Sequence, residues 1–362
     1  NRLNAGPIPK TRIVIMQLEQ IGWNDHFSEH FKTYAGKNYI VGRVYEENRR
    51  SFWLYTANGE IKGDVSGRMA YHSESRAELP AVGDWVVISI LADNSKAIIH
   101  AVLPRLSKFS RKLAGSATEE QVVAANIDTV MLVSGLDNDF NLRRIERYLV
   151  MVSASGAEPV LILNKADVCQ DLESKIAEVR AIAPNVPIVA LSAKHDAELT
   201  AIYNYARPGK TVALIGSSGV GKSTITNHLL GGERQKVQEV REGDNRGQHT
   251  TTKRELIVLP NGALIIDTPG MRELQLWISD EGLENSFEDI ELLIAQCFYR
   301  NCDHNNTEAC AIQHALSNGT LDPARWNSRN KLKTELTDLS TILEKKKQTK
   351  KATMRFNKSH KR

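Results

Sequence analysis

Residues Gly216-Ser217-Ser218-Gly219-Val220-Gly221-Lys222-Ser223 match G-x-x-x-x-G-K-[ST], between an apolar run at 212–215 and a helical pattern opening at Lys222. Such a loop dictates the fold around it: a buried strand must end at the first glycine, and a helix must begin over the loop. The glycines let successive backbone N–H groups turn toward phosphate oxygens. Lys222 neutralises those oxygens, Ser223 offers a hydroxyl to Mg²⁺, and Thr224 carries the loop into the helix. The rest of the central chain fits this demand. Strand-like runs at 127–133, 159–163, 187–191, 211–215, 255–259 and 263–266 alternate with helical stretches at 142–154, 172–182 and 222–230. That alternation predicts a doubly wound α/β sheet.

A phosphate loop does not choose a base, but Asn164-Lys165-Ala166-Asp167 does. An ionised carboxylate only accepts hydrogen bonds, so Asp167 suits the N1–H and N2–H₂ of guanine, whereas adenine presents an unprotonated N1. Asn164 is expected at the opposite base edge and the neighbouring strand, with the Lys165 stem along the ring. Ser192-Ala193-Lys194, after another strand-like run, matches the supporting loop that gives a backbone N–H to the guanine carbonyl. Asp267-Thr268-Pro269-Gly270 matches D-x-x-G, in which Asp267 serves Mg²⁺ through water and the Gly270 N–H meets the γ-phosphate. The stretch Gly247-Gln248-His249-Thr250-Thr251-Thr252 stands where a switch threonine is required, and the sequence does not choose between Thr250 and Thr251. Met271 follows D-x-x-G where many GTPases place a water-orienting glutamine. A thioether cannot do that work, so slow hydrolysis in isolation is expected, with His249 the nearest catalytic candidate beside Lys222 and Asp267.

The order of these motifs is unusual. N-K-x-D and S-A-K precede the phosphate loop instead of following it, so the domain reads as circularly permuted, which a packed sheet tolerates when its old termini lie close together. The segment that answers to the γ-phosphate then leads directly into the C-terminal region.

Outside this domain, residues 37–103 read as five short strands with turns between them, Asn58-Gly59 being a hairpin signal. An OB-fold barrel fits that count. Phe52, Trp53 and Tyr55 on one of its strands are candidates for stacking on bases, with alternation turning at least one inward. A helix is expected from residue 16 to 34 within an N-terminal extension, 1–36. Residues 104–121 read as a polar linker opening the GTPase domain, 104–280. Beyond it, 281–344 reads as a helical zinc-binding region and 345–362 as a basic tail. The net charge of +4 belongs to that tail: it holds nine Lys or Arg and no acid, while the other 344 residues carry 38 basic and 43 acidic groups. Basic tails bind phosphate backbones nonspecifically. No apolar run reaches the ~18 residues of a spanning helix, and no secretory h-region is present, so a membrane protein is not expected and a reducing cytoplasm is. Cys297, Cys302, His304 and Cys310 form C-x₄-C-x-H-x₅-C, a soft donor set suited to a closed tetrahedral Zn²⁺ site; His314 is a spare.

The strand-rich N-terminal domain, the permuted motif order and the C-terminal Cys/His cluster together resemble the ribosome small-subunit-dependent GTPase A family, also called RsgA or YjeQ, over residues 37–315. The resemblance implies an OB-fold, a permuted GTPase domain, a zinc-binding domain, and late maturation of the small ribosomal subunit and its rRNA driven by hydrolysis of GTP to GDP. It also places His249 where the family has a switch histidine. A monomer with GTP or GDP, Mg²⁺ and one Zn²⁺ is expected. The competing reading is a zinc-containing RNA-binding module in which GTP is a structural or switching ligand without significant catalysis.

Overall fold

The computed structural model describes residues 17–48, 51–112, 120–232, 254–267, 280–305 and 309–359. The first helix, α1 (Asp25–Phe31), is capped by the Asn24 side chain, which accepts from the Phe27 N–H. The single helix expected from 16 to 34 is broken at Gly22, whose φ of 89° leaves a 3-10 turn (Leu18–Ile21) before it. The left-handed conformation ends the turn, and the position admits only glycine, since a Cβ there would stand 2.5 Å from Nη1 of Arg43.

Strands β1 (Ile40–Asn48), β2 (Ser51–Thr56) and β3 (Gly59–Val65), helix α2 (Gly67–His72), and strands β4 (Trp85–Ile90) and β5 (Ala97–Val102) follow. They pair in the order β1-β2-β3-β5-β4, and β4 returns to β1, closing a five-stranded barrel of the OB type. Its interior is Val44, Phe52, Leu54, Val86, Ile88, Ala97 and Ile99. Alternation along β2 therefore turns Phe52 inward and Trp53 and Tyr55 outward. Tyr55 is not open to bases: Tyr45 stacks on it with centroids 4.2 Å apart, and its hydroxyl reaches the Leu256 carbonyl at 3.5 Å, while Trp53 is half-buried.

The polar stretch expected as a linker is partly built. Its β6 (Lys108–Lys112) pairs with β7 (Glu120–Ala125), Phe109 is fully buried, and Arg105 makes a two-pronged bond to the buried Asp84 at 2.7 Å on each prong. The basic spacing of 105–112 concealed these contacts because long cationic side chains read as solvated.

The central sheet comprises β8 (Thr129–Gly135), β9 (Glu158–Asn164), β10 (Ile188–Ala190), β11 (Thr211–Ile215), β12 (Glu255–Val258) and β13 (Leu264–Asp267), in the order β10-β9-β8-β11-β13-β12. All neighbours are parallel except β12 with β13. Helices α3 (Leu142–Ser153), α4 (Leu172–Ile182) and α5 (Lys222–Leu229) cross over between strands. At its far edge β12 pairs antiparallel with β1 through Glu46 and Glu255, so barrel and sheet form one eleven-stranded ladder.

Helices α6 (Asp280–Ser286), α7 (Glu288–Ala295), α8 (Ala311–Ser317) and α9 (Pro323–Ser359) complete the fold. Gly282 lets α6 lie directly on α3, since a Cβ there would stand 2.7 Å from the Val150 carbonyl oxygen. The backbone of α9 continues through most of the basic run that begins at Lys345.

One buried charge joins these parts. Arg43 on β1 is 1% exposed and donates from Nε to the Gly83 carbonyl at 3.2 Å, from Nη1 to that of Ile21, and from Nη2 to that of Asn126 at 3.1 Å and to Thr211 Oγ1 at 2.9 Å. Burial pushes its pKa down to about 10, against the pull of Asp128 and Asp84, so it stays charged at neutral pH. Replacing it removes a donor from four separate segments; Gly83 keeps the Asn126 Nδ2 at 3.1 Å, while the others lose their Arg43 bond, each costing about 1–3 kcal/mol when left buried and unpaired. Arg43→Met is expected to lose at least about 3 kcal/mol in urea unfolding followed by tryptophan fluorescence, and Arg43→Lys to recover only part, because an ammonium has three donors and not this fork.

Candidate functional site

The nucleotide motifs meet at the carboxyl ends of β8, β9, β10, β11 and β13, the end of an open parallel sheet where ligands bind. The phosphate loop leaves β11 at Gly216, and α5 starts at Lys222 under a left-handed Gly221 with φ 100°. Both glycines are sterically required. A Cβ on Gly216 would fall 2.2 Å from the Val133 carbonyl oxygen, and one on Gly221 would fall 2.1 Å from Asn164 Nδ2. Lys222 is buried, with its ammonium held by the carbonyls of Gly216, at 2.8 Å, and Ser217. Ser218 and Gly219 form the outer turn, Val220 packs into the core, and Ser223 and Thr224 lie in the first turn of α5. Asp267 ends β13 beside β11, so it emerges next to the phosphate loop.

Asn164 ends β9 and is buried. Its Nδ2 donates to the Val220 carbonyl at 2.6 Å, and its Oδ1 accepts from the Ala193 N–H at 2.8 Å. Both ends of the amide are thus engaged by protein, and one side chain ties together the phosphate loop, N-K-x-D and S-A-K. Lys165 is left-handed, φ 66°, and its ammonium meets Asp137 Oδ2 at 2.5 Å. Burial works to raise the Asp137 pKa, but the Lys165 hydrogen bond and the Asp139 N–H outweigh it and hold the carboxyl below its ordinary range. Ala166 and Asp167 sit in a 3-10 turn (Ala166–Val168). The Ser192 hydroxyl holds Asp167 low, burial opposes it slightly, and Lys194 and His195 add to the lowering. The residue assigned to guanine is therefore kept in its accepting form.

Three residues at this site went unpredicted: Asp137, Asp139 and Arg144. Only the Asn141 cap of α3, accepting from the Arg144 N–H at 3.0 Å, is written as a local signal in that stretch. His249, Thr250, Thr251 and Gly270 lie outside the described residues.

The cysteine cluster forms between the end of α7 and the start of α8. Cys297, Cys302, His304 and Cys310 bring one ligand atom each within 4.8 Å of one another. Cys297 Sγ lies 3.5 Å from His304 Nδ1 and 4.0 Å from Cys310 Sγ, and Cys310 Sγ lies 3.6 Å from that nitrogen. Tetrahedral Zn²⁺ with three thiolates and an imidazole has edges of about 3.6–3.8 Å, so Cys297, His304 and Cys310 already stand near that spacing, with Nδ1 as the facing nitrogen, and contraction of the widest separation, up to 4.8 Å, completes the set. Burial and then the Arg329 charge lower the His304 pKa, which favours the neutral imidazole a metal requires. Burial raises the Cys310 thiol, a penalty that a divalent cation reverses. His314 is exposed on α8, outside the cluster.

A family model described as RsgA GTPase matches residues 102–277, and one described as 50S ribosome-binding GTPase matches 211–358. A relative from Opitutus terrae, the small ribosomal subunit biogenesis GTPase RsgA, is 47% identical over 88% of this chain and 90% of its own length. Its counterpart from Syntrophotalea carbinolica is 41% identical over 89% and 90%. Among solved structures, YjeQ from Thermotoga maritima aligns with a TM-score of 0.62 at 25% identity, over 83% of this chain and 99% of that one. YloQ, a circularly permuted GTPase, aligns at 0.60 and 22% identity over 84% and 97%, which concerns the fold alone. With barrel, permuted motif order and Cys/His cluster all in place and identity sustained over nearly nine-tenths of its length, the chain belongs to the RsgA GTPase family.

Proposed function

We propose that this protein is a Mg²⁺-dependent GTPase that hydrolyses GTP to GDP and phosphate while assisting late maturation of the small ribosomal subunit. The observation that carries the reading is the 47% identity, across almost the whole chain, to a relative named for both GTPase activity and small-subunit biogenesis. The 50S description comes from a match that begins only at residue 211, in the strand before the phosphate loop, and so speaks to the nucleotide core more than to the partner. The reading in which GTP is merely structural loses to these named GTPases.

In this assignment Asp167 accepts from guanine, with Ser192 lowering its pKa further and Ala193 and Lys194 shaping the loop beneath. The backbone from Gly216 to Gly221 offers N–H groups to the phosphates, and Lys222 supplies charge. Mg²⁺, when bound, neutralises charge developing on the phosphoryl oxygens; Ser223, Asp267 and one of Thr250 and Thr251 are the residues that would hold it. His249 would orient the attacking water, a task Met271 has no hydrogen-bonding group to perform. Cys297, Cys302, His304 and Cys310 would hold one structural Zn²⁺, since four protein donors leave no open position for chemistry. Phe298, 75% exposed, and Tyr299 flank that cluster beside Arg300 and offer a face to rRNA. Among the described residues no helix is long and apolar enough to cross a membrane. A monomer working in the cytoplasm agrees with this role.

Four outcomes are expected. GTP turnover by the protein alone is slow and rises on the order of tenfold or more with small subunits, not with large ones, while ATP is not hydrolysed. His249→Ala removes that stimulation, and full stimulated turnover in the variant would discard the assignment. For Ser192→Ala, the Asp167 carboxyl returns toward its ordinary range, so loss of GDP binding on acidification sets in at higher pH than in wild type, read by titration from about pH 6 down to pH 3. Elemental analysis after dialysis gives about one zinc per chain, and Cys310→Ser lowers both the zinc content and the melting temperature.

A further inference from the structure

The loop between β8 and α3 touches both ends of the nucleotide site, through residues no sequence motif marks. Asp137 takes the Lys165 ammonium of N-K-x-D, and its Oδ1 accepts from the Asp139 N–H at 3.2 Å. Two residues on, Asp139 Oδ2 accepts from the hydroxyl of Ser217 at 2.7 Å. That same hydroxyl accepts from Arg144 Nη1 at 2.6 Å, and Arg144 closes the ring with bonds to Asp139 Oδ1 at 2.9 Å and to the Asp139 carbonyl at 2.8 Å. Ser217 is the first variable position of the phosphate loop, directly after Gly216, whose fit against Val133 leaves no room for adjustment on that side.

We propose that Arg144, with Asp139, is a positioning residue for the phosphate loop: the two side chains grip Ser217 and set the direction in which the next backbone N–H groups point. This rests on reading the loop as the GTP site. The charges explain why the role is orientation and not attraction of phosphate. Arg144 and Asp139 neutralise one another, so the pair adds little net field at the loop, while their two bonds to the Ser217 hydroxyl fix its angle. Both side chains are about one-third exposed, so the ion pair itself contributes little to overall stability and its removal leaves the fold standing.

The frame that holds Arg144 lies on the C-terminal helices. Arg143 bonds Asp322 at 3.0 Å and the buried Glu146 at 2.7 Å; Glu146 also accepts from Arg325 at 2.8 Å, and Arg147 pairs through both nitrogens with Glu335. Arg325 in turn grips Asp289 and lies over the Phe287 ring. The grip on the phosphate loop and the grip on the C-terminal region thus occupy neighbouring residues of one helix.

The test measures binding of a fluorescent GDP analogue and subunit-stimulated GTP turnover on the full chain for wild type, Arg144→Ala, Arg144→Lys, Ser217→Ala and the Ala/Ala double variant. Arg144→Ala is expected to weaken GDP binding about tenfold, the worth of a lost charge-assisted hydrogen bond, with KM raised, kcat within about twofold and the melting temperature retained. Arg144→Lys recovers part of the affinity, and the double variant binds no more weakly than the weaker single one, because both substitutions remove the same contact. Wild-type affinity in Arg144→Ala overturns the proposal. So does full additivity in the double variant, which means Arg144 acts without Ser217, or a fall in kcat at unchanged KM, which means it touches the reacting groups. Failure of the wild-type chain to bind GDP overturns the reading of the site and the proposal with it.

Discussion

A guanidinium without a direct carboxylate partner, sealed among backbone carbonyls, is the constraint on which the arrangement of this molecule depends. Arg43 leaves a barrel strand and accounts for the carbonyls of Ile21, Gly83 and Asn126 and the hydroxyl of Thr211. These belong to the N-terminal segment, the turn before β4, the chain entering the central sheet, and the first residue of the strand that feeds the phosphate loop. Gly83 shares a second donor, the Asn126 amide, and the carbonyls of Ile21 and Asn126 would otherwise need water or a ladder partner. Satisfying them from one planar fork fixes the barrel relative to β11 more firmly than apolar contact could, because a fork has direction and a methyl group does not. Asp84 and Asp128 stand close enough to favour its charge, and both have other primary partners, Arg105 and Lys210.

The nucleotide site is assembled on the same logic of close backbone approach. Gly216 and Gly221 are glycine because Val133 and Asn164 already occupy the space of a side chain. Asn164 then spends its amide on two loops that lie far apart in sequence, Val220 and Ala193. Circular permutation leaves this untouched. The strands keep their neighbours in space while the chain visits them in a different order, and the contacts at their carboxyl ends are indifferent to which loop was synthesised first.

Much of this was legible in the sequence. The strand limits of β2, β4 and β11 follow from alternation or from an apolar run bounded by turn residues, and the guanine, phosphate and Cys/His motifs name their residues outright. What escaped was whatever depends on partners distant in sequence. Arg43 and Arg105 look like surface cations until Thr211 and Asp84 are brought to them. The β6–β7 pair is short and rich in charge, so no period marks it. The room at Gly22 is limited by Arg43 and the Gly209 carbonyl, both distant in sequence. At the site, Asp137, Asp139 and Arg144 belong to no motif, since their task is set by where Lys165 and Ser217 arrive.

The pairing of β12 with β1 also bears on how the chain avoids self-association. An unpaired strand edge is a template for pairing with another copy, and the central sheet has two edges. At one, β10 runs for only three residues, Ile188–Ala190. At the other, the barrel takes the place of a neighbour, with β1 joined at Glu255 and the Tyr55 hydroxyl resting on the Leu256 carbonyl. The OB barrel is therefore also the guard on an aggregation-prone border, and a GTPase domain cut free of it would present that border to its own kind.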